Sequence, residues 1–434
     1  MKNKFYIFNA IAISIFALFS AMNLVVNNGE YSYLENRYLQ SAPEISFESI
    51  KDRSFMEEAE DYSNDQLMFR DTFVKTKAFV EKLTGKKENN GVYFAKDGYI
   101  IEKPAELNEE LIAKNIESAK IIGEMGRFDV TFCLIPQAFE IHKEKLPAGA
   151  YHDAIAKLNE KVNAELSETD VKNTDVLDLL KMHKNDEIFY RTDHHQTSLG
   201  SYLVYKELGE QLDYRPLGVG DFKVDTVSDS FLGTTYSKGL VNTGADEIKA
   251  YSTEISRSAT VEFYGEGKTS ESIFFPEHLE KKDQYSYFLD GNHGVTVVNS
   301  SLENGRKIAL FKDSYAHSLT PFLINHFESI HLIDMRYFGE DPIKYLTDNE
   351  ITEILFLYGS STFMTDETIG KTGEYGINSP YAKFGLVKEC DAVGNEYFSD
   401  AVFLGDSITM GFQAYSGITE AQYACSTAMS VGGV

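Results

Sequence analysis

The sequence predicts an α/β protein with a mostly parallel sheet, helices on both faces, a β-rich insertion and an N-terminal transmembrane helix. Three observations lead to this fold class. Apolar strand-like runs alternate with amphipathic helical segments between residues 106 and 370, which is typical of a parallel sheet. Short β-like runs and turn residues break this rhythm from about 215 to 300. A 22-residue stretch without charged side chains, Phe5–Val26, lies near the start of the chain.

Residues 1–28 are predicted to be a membrane anchor or a signal sequence. About 20 apolar residues span a bilayer as a helix, and Lys2 and Lys4 favour keeping the N-terminus inside. Phe19–Met22 contains small residues that could serve signal cleavage, so a secreted protein is the alternative to a single-pass membrane protein. In both cases the bulk of the chain is expected outside the cytoplasm.

Residues 29–105 are predicted to form a helical stalk and a hairpin. Ser49–Leu83 is rich in charged residues and carries apolar residues at helical spacing. The runs Val92–Phe94 and Tyr99–Ile101 flank Asp97-Gly98, a dipeptide typical of a tight turn between two strands.

The α/β domain is predicted over residues 106–370, with the β-rich insertion at about 215–300. Its predicted elements in chain order are helix Asn108–Gly123, strand Asp129–Ile135, helix Tyr151–Leu166, strand Asp175–Leu180, helix Thr197–Leu212, strand Lys307–Phe311, helix Ser318–His326, strand Ser329–Ile333 and strand Glu353–Tyr358. Gly370–Pro380 is interpreted as loose, and residues 371–434 as a linker followed by the start of a second domain.

Composition excludes some classes of function. The formal net charge of −26 argues against a nucleic-acid partner, because phosphate backbones are bound mainly by Lys and Arg. A solvated acidic surface explains this charge, and binding of calcium or a cationic polymer is the alternative. Cys133, Cys390 and Cys425 are too few and too scattered for a disulfide framework or a zinc site, and Cys133 lies in an apolar run as a core residue. We expect no cofactor and no metal.

Two polar clusters could carry chemistry. Tyr190–Thr197 contains Asp193, His194 and His195 between a β-like stretch and a helix, and Ser314 directly follows the apolar strand that ends at Phe311. A serine hydroxyl becomes a good nucleophile when a base takes its proton and a carboxylate orients the base. His195 and Asp193 can supply that base and that carboxylate. A helix N-cap at Asp-Ser and a structural or weak metal role for Asp-x-His are the alternatives.

The same residues resemble a known family. Arg191–His195 resembles the signature of the DHHW family of bacterial surface proteins, and Asp313-Ser314 with Ile333–Tyr337 looks like the second block of that family. These proteins are similar to the SGNH-hydrolase-like O-acetyltransferases of alginate export. The resemblance implies an SGNH-like fold over roughly residues 30–370, with Ser314 as nucleophile, His195 as base and Asp193 as triad acid.

The sequence departs from the family pattern at several positions. Gln196 replaces the tryptophan of the family name, and Lys312 stands where SGNH hydrolases have glycine. No oxyanion block is recognisable. Candidates for oxyanion or substrate contacts are Gln137, Asn292, Gly359, Arg336 and His317, with an Arg336–Asp334 ion pair or plain surface exposure as the alternative for Arg336.

The C-terminal segment contains a second serine motif. Ala401–Ile408 includes Gly405-Asp406-Ser407 and resembles the first block of ordinary GDSL/SGNH hydrolases. No histidine follows His331, so no base is supplied downstream. The segment is interpreted as the truncated start of a second SGNH-like domain, with Ser407 as a remnant nucleophile.

The sequence is consistent with three functions. The leading hypothesis is an anchored serine-dependent O-acyltransferase or esterase that acts on a cell-surface polysaccharide and receives its acyl group from a membrane partner protein. The second is a non-catalytic glycan-binding or assembly protein of the same fold, suggested by the changes at Gln196 and Lys312. The third is a metal-dependent phosphoesterase of the DHH type, for which further aspartate motifs are not found.

Overall fold

The computed structural model describes residues 2–23, 29–241, 243–383 and 394–426. The chain divides into two compact units, Met1–Gly385 and Leu386–Val434. The first unit ends beyond the domain boundary that the sequence predicts near residue 370. It contains the apolar N-terminal helix, the large sheet and both predicted polar clusters.

The N-terminal helix of the first unit is long and apolar enough to cross a membrane over Tyr6–Asn23, and that stretch is not buried inside the protein. This agrees with the predicted anchor or signal in length and composition. The α-helices described in this unit are α1 (Lys2–Asn23), α2 (Phe47–Lys51), α3 (Ser54–Asp65), α4 (Arg70–Leu83), α5 (Glu109–Glu124), α6 (Ala138–Ile141), α7 (Ala154–Leu166), α8 (Leu177–Met182), α9 (Ser198–Gln211), α10 (Thr234–Gly239), α11 (Glu254–Ser258), α12 (Thr320–Leu323), α13 (Pro342–Asp348), α14 (Ser360–Thr365) and α15 (Ile369–Asn378).

The strands described in the first unit form one large sheet and three small ones. They are β1 (Tyr31–Ser32), β2 (Arg37–Tyr38), β3 (Glu88–Asn89), β4 (Val92–Phe94), β5 (Ile100–Glu102), β6 (Asp129–Ile135), β7 (Lys172–Asp175), β8 (Lys223–Phe231), β9 (Asp246–Ser252), β10 (Thr260–Phe263), β11 (Lys268–Ser270), β12 (Val295–Asn299), β13 (Lys307–Lys312), β14 (Ser329–Ile333) and β15 (Glu353–Gly359). The predicted hairpin is confirmed, since β4 pairs antiparallel with β5 around a turn in which Asp97 and Gly98 both have positive φ.

The large sheet has the strand order β11-β10-β12-β14-β13-β15-β6-β7. Its neighbours from β14 to β7 are parallel, and β12, β10 and β11 are added antiparallel at one side. The carboxyl ends of the parallel strands therefore meet at one edge, where open α/β sheets place their sites.

Both faces of this sheet are buried. Along β13, Ile308 and Leu310 belong to one apolar cluster, whereas Ala309 and Phe311 belong to another. Residues of α9 and α12 complete the first cluster, and residues of α5, α7 and α13 complete the second. Because successive side chains of a strand point to opposite faces, a strand covered on both sides is mostly apolar. The prediction of helices on both faces is confirmed.

The β-rich insertion has two parts. β8 and β9 pair antiparallel as a separate two-stranded sheet with bulges. β10, β11 and β12 extend the large sheet itself. Turn residues between short apolar runs predict strands in this region, but which sheet each strand joins depends on pairing that local sequence does not specify.

Three predicted elements differ from the structure. The predicted strand Asp175–Leu180 is helix α8, preceded by the short strand β7, because a short apolar run fits either state. Of the predicted helix Ser318–His326, only Thr320–Leu323 (α12) is α-helical. Gly370–Pro380, interpreted as loose, contains most of α15; a Cβ on Gly373 would lie 2.9 Å from the Ser118 backbone, so its glycines permit close packing on α5.

The second unit, described over residues 394–426, is small. β16 (Val402–Gly405) pairs parallel with β17 (Gln422–Cys425), and α16 (Ser407–Tyr415) lies between them in the chain. Asp406 caps α16 by accepting from the N–H of Ile408 at 2.9 Å, and Ser407 is exposed at the start of that helix. Among the described residues of this unit there is no histidine.

Candidate active site

The turn that follows β13 places Ser314 at the edge of the large sheet where the parallel strands end. Ser314 opens a single 3₁₀ turn that is capped by Asp313. The Asp313 carboxylate accepts from the N–H of Tyr315 at 3.0 Å and from the N–H of Gly359 at 2.9 Å. These bonds tie the turn to the end of β15 and leave the Ser314 side chain half-buried.

The loop that carries Asp193 and His195 lies between α8 and α9. Asp246 anchors it, because its carboxylate accepts from the N–H of Arg191 at 3.1 Å and from the N–H and hydroxyl of Thr192 at 2.8 and 2.6 Å. The Asp193 carboxylate accepts from the backbone N–H of His195 at 3.0 Å, a local turn that favours aspartate two residues before the histidine.

The structure brings the three predicted catalytic residues into one hydrogen-bonded chain. His195 Nδ1 lies 2.6 Å from Asp193 Oδ1, and His195 Nε2 lies 2.6 Å from Ser314 Oγ. Because an ionised carboxylate only accepts, Nδ1 carries the proton and Nε2 accepts from the serine hydroxyl. This is the order of contacts that a base-activated serine requires.

Asp193 is buried and fully engaged. Its Oδ2 accepts from the N–H of Thr234 at 2.7 Å and from the Thr234 hydroxyl at 2.9 Å. Burial alone would raise the pKa of Asp193, but the charges of His194 and His195 and the Thr234 N–H together hold that pKa well below its usual range. Asp193 therefore stays ionised at neutral pH and fixes the orientation of His195.

Tyr285 supports both the base and the serine. Its ring stacks on the His195 ring with 3.8 Å between centroids and 10° between planes. Its hydroxyl donates to the Ser314 carbonyl at 3.1 Å and lies 3.0 Å from Ser318 Oγ. Burial raises the pKa of Tyr285 far above its usual value, so the phenol stays neutral. No local motif marks Tyr285 in the sequence, because it lies in the β-rich insertion and reaches the site only through the fold.

Gln196, at the family's tryptophan position, faces the protein interior. It is fully buried, and its Nε2 donates to Ser201 Oγ at 2.9 Å. Ser201 Oγ in turn lies 2.7 Å from Ser318 Oγ, which contacts Tyr285. The Gln196 side chain therefore belongs to a buried series of hydrogen bonds that leads to Tyr285, and its contacts are with the protein interior.

A buried charged cluster lies beside the serine turn. The Lys312 ammonium is 3.2 Å from Asp334 Oδ2, 2.9 Å from His317 Nε2 and 3.4 Å from Asn292 Oδ1. Arg336 donates to both oxygens of Asp334, from Nε at 2.8 Å and from Nη2 at 2.7 Å. Burial would raise the pKa of Asp334, but Arg336 and Lys312 hold it below its usual value. The Arg336–Asp334 ion pair, the predicted alternative for this arginine, is present.

Two of the candidate oxyanion residues are already engaged. The Gly359 N–H donates to Asp313, and a Cβ at Gly359 would lie 2.5 Å from the Tyr315 ring, so this glycine permits packing and its N–H is not free for an oxyanion. Gln137 is buried; its N–H donates to Ser360 Oγ at 3.1 Å, and its Nε2 lies 3.4 Å from Glu102.

A polar groove of about 270 Å³ lies against the histidine loop. Hydroxyl-bearing and charged side chains line it, and they are Glu35, Asn36, Glu102, His194, Thr234, Ser237, Lys238, Ser361 and Thr362. Lys238 pairs with Glu102 at 2.5 Å, so charges of both signs are present. A lining of this kind offers donors and acceptors to a polar ligand.

The histidine loop could also hold a metal ion by residue type and distance, since ligand atoms of Asp193, His194 and His195 lie within 4.8 Å of one another. These atoms have protein partners: His194 Nδ1 lies 2.7 Å from Thr234 Oγ1, and His195 bridges Asp193 and Ser314. The observed hydrogen bonds therefore match a serine triad better than a metal centre.

The chain matches a family model described as DHHW protein over residues 108–333, just over half of its length. No curated protein matches it in a sequence search. The matched region contains both the histidine loop and the serine turn, so it includes every residue of the hydrogen-bonded chain described above.

Solved structures share the fold. A DHHW family protein from Eubacterium siraeum is 25% identical, with a TM-score of 0.56 over 65% of this chain and 95% of that protein. Bacillus cereus PatB1 is 17% identical, with a TM-score of 0.55 over 64% of this chain and 98% of that protein, and it has also been solved with a sulfonyl adduct. The O-acetyltransferase domain of Pseudomonas putida AlgJ is a more distant match, with 12% identity and a TM-score of 0.42 over 65% of this chain and 99% of that domain.

Proposed function

This chain belongs to the DHHW family, and from that premise we propose that it is a serine-dependent O-acyltransferase or esterase. The observation that carries the proposal is the hydrogen-bonded chain from Asp193 through His195 to Ser314, with 2.6 Å at each of its two links. The acyl group is proposed to be acetyl. The proposed acceptor or substrate is a cell-surface polysaccharide.

The first half of the reaction forms an acyl-enzyme. Ser314 Oγ attacks the carbonyl carbon of an acyl ester while His195 Nε2 takes the hydroxyl proton. The tetrahedral intermediate then collapses, and the alkoxide leaving group receives that proton from His195. Asp193 remains ionised throughout and stabilises the transient imidazolium. Tyr285, stacked on His195, restricts the ring to the plane that points at the serine.

The second half decides between transfer and hydrolysis. An acceptor hydroxyl, or water, gives its proton to His195 and attacks the acyl-serine carbonyl. The tetrahedral intermediate then collapses, and Ser314 Oγ leaves and takes that proton back from His195. A sugar hydroxyl held in the polar groove next to His194 makes the protein a transferase. Water in the same position makes it an esterase.

We place this activity outside the cytoplasm, on the basis of the apolar helix α1. Lysines before an apolar segment favour an inside N-terminus, so the residues after α1 are expected outside. A transferase at that location has no supply of cytoplasmic acyl donors. The proposal therefore includes a membrane partner protein that hands over the acyl group.

The test is a set of single substitutions measured on p-nitrophenyl acetate. Ser314→Ala and His195→Ala should each remove nearly all turnover, and Asp193→Asn should cost a factor of about 10⁴. A fluorophosphonate or sulfonyl fluoride should label the wild type on the peptide that carries Ser314.

Ser407→Ala is the matched control, because Ser407 follows an aspartate and opens a helix as Ser314 does, yet has no histidine in its own described unit. Activity should be unchanged in this variant. A wild type that neither labels nor turns over any acyl ester would refute the enzymatic proposal in favour of a glycan-binding protein. Activity that persists in Ser314→Ala and is lost with a chelator would indicate a metal-dependent phosphoesterase.

A further inference from the structure

His317 is a buried histidine three residues after the proposed nucleophile that the triad mechanism does not use. Its side chain is almost completely buried. Its backbone N–H donates to the Ser314 carbonyl at 3.1 Å, so it belongs to the same turn. The plane of its ring makes an angle of 21° with the ring plane of Tyr285, and the two centroids are 6.3 Å apart. Tyr285 also stacks on His195.

Lys312 determines which nitrogen of His317 carries the proton. The Lys312 ammonium lies 2.9 Å from His317 Nε2, and an ammonium group has only donors. Nε2 must therefore be the accepting nitrogen, and the single proton of the neutral ring must be on Nδ1. The ammonium is held in place by Asp334 and Asn292, which accept from the same nitrogen.

His317 Nδ1 is thus an N–H donor, and it is the unusual feature of this cluster. It is buried and has no hydrogen-bond partner among the residues that the structure describes. Buried polar groups are nearly always paired. An unpaired donor on the turn that carries the proposed nucleophile points to a partner that arrives with the substrate.

We infer that His317 donates a hydrogen bond from Nδ1 to the carbonyl oxygen of the acyl group held at Ser314, and that Lys312 is the positioning residue that makes Nδ1 the donor. This inference rests on the proposed acyl chemistry. It identifies an oxyanion donor that no recognisable sequence motif provides. The N–H of Gly359, a candidate for that role, donates to Asp313 instead. A donor aimed at the developing oxyanion is among the strongest contributions to acyl transfer.

Burial and the surrounding positive charges both favour the neutral form of His317. Burial first, then the positive charge of Lys312 and further charge from His195, Arg336 and His293, holds the pKa of His317 well below its usual value. Asp334 is the nearby carboxylate, and it is paired with Lys312 and Arg336. Tyr285, whose ring centroid lies 6.3 Å from that of His317, stays neutral because burial raises its pKa.

The tautomer can be measured directly by ¹⁵N NMR of full-length protein labelled at histidine, with His317→Gln used for assignment. We expect a protonated Nδ1, an unprotonated Nε2 and no titration of His317 between about pH 5 and 8. Lys312→Met keeps the Arg336–Asp334 pair but frees Nε2, so the proton of the neutral His317 ring should no longer be confined to Nδ1. A wild-type His317 protonated at Nε2 would overturn the inference whether or not the protein is an esterase.

Kinetics separate the donor from a structural role. The amide nitrogen of asparagine, attached at Cγ, can replace Nδ1, whereas that of glutamine replaces Nε2. His317→Asn should therefore retain kcat within about tenfold, and His317→Gln should lose about 100-fold in kcat with KM and melting temperature little changed. Equal activity of His317→Gln and wild type would refute the donor role, while an inactive wild type would refute the proposed function and leave the NMR result to decide on the tautomer.

Discussion

Gly233 offers a test of the triad that leaves all three of its residues in place. A Cβ at this position would lie 2.2 Å from Asp193 Oδ2 and 2.6 Å from its Cγ. The backbone of Gly233, with φ of −83° and ψ of −157°, is open to any residue, so Gly233→Ala introduces a steric conflict without backbone strain. The added methyl group would clash with the Asp193 carboxylate, which orients His195.

The size of the effect follows from the distances. Ordinary van der Waals contact for a Cβ begins at 3.4 Å, so the Asp193 carboxylate must move by about 1 Å. Its bonds to the Thr234 N–H at 2.7 Å and hydroxyl at 2.9 Å would then exceed hydrogen-bonding distance. Overpacking of this kind costs about 1–3 kcal/mol in stability, and a displacement of about 1 Å at a catalytic group costs about 100-fold in rate.

The assay compares kcat/KM on p-nitrophenyl acetate, the rate of sulfonyl labelling of Ser314 and the melting temperature. Gly220→Ala is the control, because a Cβ at Gly220 would meet nothing within 4 Å and its φ is not in the left-handed region. Gly220→Ala should match the wild type in all three measurements. If Gly233→Ala keeps its activity within about threefold, the orientation of Asp193 does not control catalysis, and the assigned role of this carboxylate is wrong.

Three further predictions concern topology, domain limits and pH. A cysteine at exposed Val219, in a Cys390→Ser/Cys425→Ser background, should react with a membrane-impermeant maleimide on intact cells. A chain that ends at Gly385 should keep its melting temperature and activity, whereas one that also lacks α15 should lose stability. The pKa of buried His331 is lowered to about 4, chiefly by burial. The unfolded chain therefore binds the proton first as pH falls from about 6.5 to 4, and up to about 3 kcal/mol of stability should be lost there, less in His331→Gln.

Each of these has an outcome that would contradict it. Labelling of the Val219 cysteine only after lysis would place the domain inside the cell. Loss of activity on ending at Gly385 would assign the second unit to the functional domain. Equal acid sensitivity of His331→Gln and wild type in urea unfolding at pH 4–7 would show that this histidine does not contribute to the pH dependence.

Elements whose sequence patterns are long or specific are predictable from the amino-acid sequence alone. The largely apolar runs Asp129–Ile135 and Ser329–Ile333 are strands with those bounds, because a strand buried on both faces is mostly apolar. The Asp-x-His and Asp-Ser motifs were paired on chemistry and family resemblance across 119 residues of chain, and the structure places His195 Nε2 2.6 Å from Ser314 Oγ.

Features that depend on long-range packing became visible with the three-dimensional fold. Asp175–Leu180 is too short for its periodicity to separate helix from strand, and contacts with neighbouring elements made most of it helix α8. Tyr285, Thr234 and Gly233 reach the triad from the β-rich insertion, where no local pattern marks them. The proton position on His317 depends on an ammonium held by Asp334 and Asn292. Such contacts join residues far apart in the chain, and a single sequence carries no record of which distant side chains meet.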